Sequence, residues 1–401
     1  MNDPIPSNFM VPGFLAAGIP AGIKKNQEKD LALIYSEVSS KAAGVFTTNR
    51  VKAAPVLLSK ERIRSGRARA ILINSGSANA CTGKRGLADG LHLSRLIATS
   101  LKIAPQDVLL ASTGVIGKPL PMNLIEENVP RLLSSLKPEG LGDAARAIVT
   151  TDTFPKGAIL RQKVNGKDIT LAGIAKGAGM ISPHMATLLS FVITDASISL
   201  KALRQSLKEG VRESYNRVTV DGDMSTNDTL LILANGEAKN KEIFPGTAGY
   251  RKFSFLLREL LFSLAQKIVR DGEGATKLVA IVVEKARTAF EAERVARAVA
   301  TSPLVKTAFF GEDANWGRIL CAAGYSGASV DPNKIDIYFD DVAIVRHGEG
   351  TGSASEEQAT SVMKKREYTV RMNLNQGTKK ASIFTTDFSL DYVKINASYR
   401  S

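Results

Sequence analysis

The fold is decided by residues 176–195, which read K-G-A-G-M-I-S-P-H-M-A-T-L-L-S-F-V-I-T-D. The first half of this stretch contains two glycines and a proline, which break helices and central strands and therefore predict an irregular loop. The second half, residues 188–194, is apolar and rich in β-branched side chains, so a buried strand is predicted there. Thr187 stands at the junction, either as an ordinary first residue of a strand or as a nucleophile.

Strand and helix patterns alternate along most of the chain, which predicts an α/β protein with layered sheets packed against helices. Strands are predicted at 68–74, 108–111, 158–164, 169–175, 229–234 and 278–283, and helices at 86–102, 122–137, 141–149, 200–214, 253–269 and 292–300. The Asn165-Gly166 pair predicts a hairpin turn. Strands are expected in most of the C-terminal part, including the alternating residues 392–399. A length of 401 residues predicts two lobes or one large composite fold.

The composition argues against a membrane, secreted or metal-binding protein. No apolar run has the length of a membrane span, and the N-terminus lacks the basic-then-apolar layout of a signal peptide, so a cytoplasmic protein is expected. Cys81 and Cys321 are too few for a disulfide framework, and with three scattered histidines they offer no metal-ligand spacing. The sequence therefore predicts no metal site and no membrane partner.

The net charge of +14 raises the alternative of a nucleic-acid-binding protein. Lysine and arginine are dispersed along the chain, however, and no run of five or more like charges occurs. A solvated basic surface that helps to gather acidic substrates is the preferred interpretation, and no nucleic-acid partner is expected.

A phosphate-binding loop is excluded at residues 112–118, which read S-T-G-V-I-G-K. Two residues separate Gly114 from the Gly117-Lys118 pair, whereas a Walker loop has four residues between the corresponding positions. The Thr113-Gly114 pair, taken alone, is typical of an ordinary turn at the end of a strand.

Motifs spread over nearly the whole chain, in order, resemble those of the ornithine acetyltransferase family, also called the glutamate N-acetyltransferase family. They are Asn74-Ser75-Gly76, Ala78-Asn79-Ala80-Cys81-Thr82-Gly83, Ser112-Thr113-Gly114, Thr150-Thr151-Asp152, Lys176-Gly177-Ala178-Gly179-Met180-Ile181, Met185-Ala186-Thr187-Leu188-Leu189, Asp221-Gly222-Asp223, Ser225-Thr226-Asn227-Asp228, the run from Asp271 to Lys277, and the residues from Tyr392 to Ser401.

The resemblance implies that a precursor cuts itself between Ala186 and Thr187. Residues 1–186 would then form an α chain, and residues 187–401 a β chain that begins with the nucleophile. An assembly of two α and two β chains is also implied. The implied fold is similar to the N-terminal-nucleophile layout, with the family's own topology.

The implied reaction is ping-pong transfer of the acetyl group of N2-acetyl-L-ornithine to L-glutamate through acetyl-Thr187, without metal or bound cofactor. A threonine hydroxyl needs a base. Cleavage would leave a free α-amino group on Thr187. The ordinary pKa of an α-amine is about 7.7–8.0, against about 10.4 for lysine, so such a group can serve as that base near neutral pH. Nucleophile and base then belong to one residue.

Further roles follow from the same resemblance. Thr113 and Gly114 are expected to hold the oxyanion, Lys176 the α-carboxylate that both substrates share, and Glu273 the ornithine ammonium. Other expected substrate contacts are Thr150, Thr187, Asn396 and Ser401. Without the resemblance, Lys176 would be interpreted as a surface lysine and Glu273 as a solvated loop residue. Asn396 and Ser401 would be interpreted as parts of a frayed C-terminal tail.

The sequence leaves two questions open. A self-cleaving aminopeptidase of related architecture is the alternative enzyme, and it would release its acyl group to water. The sequence also does not decide whether acetyl-CoA serves as a second acetyl donor, which would make the protein bifunctional.

Overall fold

The computed structural model describes residues 5–25, 27–182 and 188–398. Within these residues the chain forms two compact units. Unit 1 comprises the residues up to Asn216 together with Met224–Ile268, and unit 2 comprises Arg217–Asp223 together with the residues from Val269 onward. The length predicted two lobes or one large composite fold, and the two units correspond to the first of these alternatives. Their boundary differs from the predicted cleavage point, because a spatial unit and a processed chain are different divisions of the sequence.

Unit 1 is built on an eight-stranded mixed sheet in which the strands follow the order β4-β3-β2-β8-β7-β6-β5, with β1 paired to β2. The strands are β1 (Phe14–Ile19), β2 (Leu31–Phe46), β3 (Arg67–Ser77), β4 (Val108–Val115), β5 (Lys156–Val164), β6 (Lys167–Lys176), β7 (Leu189–Thr194) and β8 (Thr229–Ala234). The pairs β3–β4 and β7–β8 are parallel, and the other pairs are antiparallel.

Helices cover both faces of this sheet, because successive strand residues point to opposite faces. In β3, Leu72 belongs to the apolar cluster that contains Leu93 and Ile125, whereas its neighbour Ile71 belongs to the cluster that contains Leu141. The helices are α1 (Ala54–Arg62), α2 (Gly83–Leu101), α3 (Met122–Ser134), α4 (Leu141–Ala147), α5 (Leu200–Glu213) and α6 (Ala248–Arg270). The predicted α/β class is thus confirmed in unit 1.

Unit 2 has a six-stranded sheet in the order β12-β11-β10-β13-β9-β14, in which β9 and β13 are parallel. Its strands are β9 (Leu278–Ala286), β10 (Asp336–Phe339), β11 (Val342–Arg346), β12 (Glu349–Gly350), β13 (Glu367–Asn373) and β14 (Lys379–Thr386). Its helices are α7 (Ala289–Thr301), α8 (Pro303–Phe310), α9 (Trp316–Gly324), α10 (Ser353–Met363) and α11 (Leu390–Ser398). The side chains of Ile281, Val295 and Phe339 lie in one buried cluster of this unit.

The predicted hairpin is confirmed, since β5 and β6 pair antiparallel across Asn165 and Gly166. β6 ends at Lys176, and β7 spans Leu189–Thr194. The strand predicted at residues 188–194 is therefore also present. The sequence patterns did not predict β1, the long β2 or helices α1, α8, α9 and α10.

One prediction was wrong. Residues 392–399 were expected to form a strand, but Leu390–Ser398 form helix α11. The Ser389 hydroxyl accepts the backbone N–H of Tyr392 and so caps the first turn. None of the α11 side chains is fully buried, and Leu390 and Val393 are exposed. The apparent alternation therefore carried no inside-outside information.

No helix in the described ranges is long and apolar enough to cross a membrane.

Candidate active site

The end of β4 carries the predicted oxyanion pair at a close approach of two backbones. Thr113 aligns with Ser75 and Gly114 with Gly76 in the parallel β3–β4 pair. Gly114 has a φ of +128°, and a Cβ placed on it would lie 2.4 Å from the carbonyl carbon of Gly76. Only glycine fits at this position, so the backbone of the turn is held in one place.

Lys176, at the end of β6, brings the predicted residues of unit 1 together. Its Nζ donates to Thr150 Oγ1 at 2.7 Å and to Thr113 Oγ1 at 3.2 Å. The Lys176 side chain is only 11% exposed. The residue is therefore a nearly buried cation between two hydroxyls, and the interpretation of a surface lysine is wrong.

Asp152 supports this cation and was not among the predicted site residues. The side chain is fully buried, and Oδ1 accepts from Lys156 Nζ at 2.6 Å and from the Gly177 N–H at 2.7 Å. Oδ2 accepts the Thr150 N–H at 3.1 Å and lies 3.9 Å from Lys176 Nζ. Asp152 thereby connects the turn at residue 150 with the start of the Lys176 loop.

The Asp152 carboxylate stays charged in spite of its burial. Burial by itself raises the pKa of Asp152, but Lys156, Lys176 and the Gly177 N–H together hold that pKa well below its ordinary value. The sequence signal was present in the Thr150-Thr151-Asp152 motif, yet nothing in the motif assigned a role to the carboxylate.

Lys24 adds a second cation to this neighbourhood. Burial is the largest cause that lowers the pKa of Lys24, and the charge of Lys176 lowers it further, whereas Glu28, Asp30 and Asp152 raise it. The loop that carries Lys24 is fixed by Asp30, whose buried carboxylate accepts three backbone N–H groups, those of Ala21, Ile23 and Lys24. Two ammonium groups within electrostatic reach of each other favour an anionic ligand such as a carboxylate.

The strand that follows the predicted nucleophile starts beside Lys176. Leu189, the first residue of β7, pairs with Lys176 on one side and with Thr229 of β8 on the other. The predicted cleavage residues Ala186 and Thr187 lie outside the described residues.

In unit 2 the structure brings together two of the three predicted residues. Asn396 Nδ2, on α11, donates to Glu273 Oε2 at 2.9 Å and to the Tyr392 carbonyl at 3.0 Å. Glu273 is only 8% exposed, which excludes the solvated loop residue considered from the sequence. Ser401 lies outside the described residues.

The loop that contains Glu273 packs so closely against α11 that residue 274 must be glycine. Gly274 has a φ of +65°, and a Cβ there would lie 2.5 Å from the Tyr392 backbone nitrogen. The Ser389 hydroxyl donates to the Gly274 carbonyl at 2.6 Å. Burial, followed by the negative charges of Asp221 and other nearby carboxylates, raises the pKa of Tyr392. This surface of unit 2 is therefore acidic and suits a cationic ligand.

No group of three or more histidine, cysteine, aspartate or glutamate side chains in the described part of the chain is arranged to hold a metal ion. The polar groups described above instead supply hydroxyls, ammonium groups and carboxylates. Such groups can orient a charged amino acid and stabilise a tetrahedral oxyanion.

Comparison with known proteins gives consistent results over nearly the full length. The model of the ArgJ family matches residues 15–401. The arginine biosynthesis bifunctional protein ArgJ of Geobacter sulfurreducens is 50% identical over 391 residues, which cover 98% of this chain and 100% of that protein. The ArgJ protein of Staphylococcus epidermidis is 43% identical over 388 residues, which cover 96% of each chain.

A solved structure agrees with these relatives. The crystal structure of the arginine biosynthesis bifunctional protein ArgJ of Bacillus halodurans is 42% identical, with a TM-score of 0.50. The match covers 52% of this chain and 98% of the solved chain.

Proposed function

This chain belongs to the ArgJ family, and from that premise we propose that it transfers the acetyl group of N2-acetyl-L-ornithine to L-glutamate in arginine biosynthesis. The products are L-ornithine and N-acetyl-L-glutamate. The protein is an acyltransferase, and its relatives are named arginine biosynthesis bifunctional proteins.

The observation that carries the proposal is the position of Lys176. Its ammonium lies within hydrogen-bond distance of Thr150 and of Thr113, the proposed oxyanion residue. A substrate α-carboxylate bound to Lys176 would place the adjacent N-acetyl group only a few bonds away. A lysine among hydroxyls that is held in place by a buried carboxylate supports binding of an anion next to an acyl group.

Acylation of the enzyme begins with Thr187. Its Oγ attacks the acetyl carbonyl of N-acetylornithine, while its own α-amino group accepts the Oγ proton. The resulting oxyanion is stabilised by the Thr113 hydroxyl and the Gly114 N–H. When the C–N bond of the amide breaks, the α-ammonium of Thr187 returns the proton to the ornithine nitrogen. Ornithine leaves, and acetyl-Thr187 is an ester.

Deacylation repeats these steps in reverse with a new amine. The α-amino group of glutamate attacks the ester carbonyl, and the same donors stabilise the second oxyanion. The C–O bond to Thr187 then breaks, and the proton lost by the glutamate nitrogen returns to Oγ through the α-amino group. Because both substrates carry an α-carboxylate beside the reacting nitrogen, one cation at Lys176 serves both half-reactions.

Glu273 remains the proposed partner of the ornithine δ-ammonium. It is a nearly buried carboxylate that receives an N–H from the neutral Asn396 side chain. Asn396 and Ser401 are proposed to offer neutral hydrogen bonds, because a second fixed charge would favour ornithine or glutamate over the other.

We further propose that the precursor is cut between Ala186 and Thr187, that two α and two β chains assemble, and that the enzyme works in the cytoplasm. Each statement extends the resemblance of the sequence and has its own measurement: intact mass, mass in solution and localisation of a tagged protein.

The decisive experiment incubates the purified protein with N-acetylornithine and glutamate. Formation of N-acetylglutamate and ornithine in equal amounts is expected, and Thr187→Ala should form neither product. Release of acetate independent of glutamate would identify a hydrolase and contradict the proposed transfer.

A second donor is tested in the same assay. The relatives are named bifunctional, and we propose that acetyl-CoA also acetylates Thr187. Formation of N-acetylglutamate from acetyl-CoA and glutamate, without ornithine, would support this second activity. Its absence would leave a monofunctional transferase.

A further inference from the structure

Asn227 ties together two turns next to the proposed oxyanion residues. Its side chain is almost buried, since the residue is 6% exposed. Nδ2 donates to the carbonyls of Ala78 at 2.6 Å and Ser112 at 2.8 Å, and Oδ1 accepts the Thr226 hydroxyl at 2.6 Å. The two amide hydrogens and the amide oxygen of Asn227 therefore all have partners.

The Ser112 carbonyl belongs to the peptide bond that leads into Thr113. The side chain of Ser112 is held as well, because Ser112 Oγ donates to Asn74 Oδ1 at 2.6 Å. Asn74 Nδ2 in turn donates to the Ser77 carbonyl at 2.8 Å. Ser112, which directly precedes the oxyanion pair, is thus fixed by two bonds. Its carbonyl is bonded to Asn227, and its hydroxyl is bonded to Asn74.

The segment that contains Asn227 is also bonded to Leu188, the residue that directly precedes β7. The Thr229 N–H donates to the Leu188 carbonyl at 2.9 Å. This main-chain bond links the segment that contains Asn227 to the start of β7.

We infer that Asn227 is a positioning residue for acetyl transfer, which sets the oxyanion turn at residues 113–114 against the strand that begins after Thr187. The inference rests on the proposed function. It assigns a role to a side chain that touches neither substrate nor reacting atoms. Asn227 acts through the Ser112 carbonyl and through the main chain that continues to Thr229.

The physical reason lies in two buried carbonyls. Replacing Asn227 by alanine leaves the carbonyls of Ala78 and Ser112 without this donor, and the chain must shift to find another. Oxyanion donors stabilise the transition state only at the right distance, and displacement by about 1 Å can cost about a hundredfold in rate. Lys176 contacts Thr113 but is also held by Thr150 and by Asp152, so binding of the substrate carboxylate should be largely kept. We therefore expect kcat to fall much more than KM changes.

Asn240 offers a matched control. It is a buried asparagine of the same unit, 5% exposed, and its Nδ2 also donates to two main-chain carbonyls, those of Ser197 and Lys241. Ser197 and Asn240 follow the far ends of β7 and β8, away from Leu188 and Thr229. Asn240→Ala should therefore disturb the fold to a similar extent but not the oxyanion turn.

The experiment compares the steady-state kinetics of wild type, Asn227→Ala and Asn240→Ala with N-acetylornithine and glutamate. Thermal unfolding is measured for each, and rates are expressed per processed molecule counted by intact mass. For Asn227→Ala we expect kcat to fall about ten- to a hundredfold with KM changed less than about threefold. Asn240→Ala should keep the wild-type kcat. Should Asn227→Ala not fold, Asn227→Ser, which keeps one donor, decides in its place.

Unchanged kcat in the Asn227 variant, or an equal loss of kcat in the Asn240 variant, would overturn the inference. A wild type that transfers no acetyl group would instead remove the proposed function, and the inference with it. The two failures are thus distinguished by the first measurement.

Discussion

The ammonium of Lys156 and the carboxylate of Asp152 form an ion pair with both side chains fully buried and 2.6 Å between the charged atoms. The same carboxylate accepts the backbone N–H groups of Thr150 and Gly177. A buried ion pair contributes little net stability compared with apolar residues, but the loss of one partner leaves an uncompensated charge. Asp152 therefore fixes the loop that follows Lys176, and its removal should be costly.

Asp152→Asn should lower the free energy of unfolding by about 3–5 kcal/mol at pH 7, because the Lys156 ammonium stays buried without its counter-charge. The pKa of Asp152 is lowered in the folded protein. Its stabilising contribution is therefore present above the unfolded pKa of about 3.9 and is lost as the pH falls through the folded pKa. Urea unfolding at several pH values measures this.

Asp107→Asn is the matched control, since Asp107 pairs with an exposed Arg67 at the surface of the same unit. The Asp107→Asn substitution should lower the free energy of unfolding by only about 0–1 kcal/mol. Equal losses in the two variants would show that the buried pair has no special role.

Lys176→Ala should lower kcat/KM about ten- to a hundredfold, because a charge-assisted hydrogen bond of about 1.5–3 kcal/mol to the substrate carboxylate is lost. Lys41→Ala is the control. It removes a lysine of the same unit that pairs with Glu242 and is 43% exposed, so kcat/KM should stay at the wild-type value. If processing and kcat/KM of the Lys176 variant both match the wild type, Lys176 does not bind the carboxylate.

Intact mass spectrometry of the purified protein should show two fragments that meet between Ala186 and Thr187. Thr187→Ala should remain one chain, because no hydroxyl is available to attack the preceding carbonyl. Thr194→Ala, which changes a buried threonine at the end of β7, should be cut like the wild type. A fully processed Thr187→Ala protein would contradict self-cleavage by Thr187.

Deletion of residues 396–401 should leave cleavage largely intact while it raises KM or abolishes transfer. Asn396 Nδ2 donates to Glu273 Oε2, and its loss removes the contact that holds this carboxylate in position for the substrate. The point variant Asn396→Ala should raise KM in the same direction. Lys394→Ala, two residues earlier on the same helix and paired with the exposed Asp391, is the control. Wild-type kcat and KM in the truncated protein would make the C-terminus purely structural.

Asp228→Asn should change how stability depends on pH. Burial raises the pKa of Asp228 well above its ordinary value, although Ser225, Thr47 and Lys176 act against this. In the described part of the chain Oδ2 accepts no hydrogen bond, so nothing compensates for the loss of water at that atom.

The folded protein then holds a proton that the unfolded chain releases near pH 3.9, and stability falls as the pH rises from there to the folded pKa. The wild-type Tm should decrease relative to that of Asp228→Asn as the pH rises from about 4 towards the folded pKa. A constant difference over that range would mean that Asp228 is ionised in the folded protein.

Much of the fold was visible in local patterns. The strand of residues 189–194, the β5–β6 hairpin and the helices near residues 90, 260 and 295 follow from apolar periodicity and turn residues. The C-terminal helix was predicted as a strand because none of its side chains is fully buried. Its pattern of apolar and polar residues therefore does not report which face of the segment packs against the protein. Its helical state depends instead on the Ser389 cap and on the contact between Asn396 and Glu273.

The sequence by itself determined the family, the α/β class and the residue types of the proposed site, because these depend on motifs and periods that are local in the chain. Only the tertiary structure placed Lys176 against Thr113 and Thr150, residues 63 and 26 positions away. It alone revealed the supporting roles of Asp152 and Asn227, since a buried polar group becomes recognisable only when its distant partners are known. Burial is the physical reason: it removes water from these groups, and the fold must then supply every hydrogen bond that water would have made.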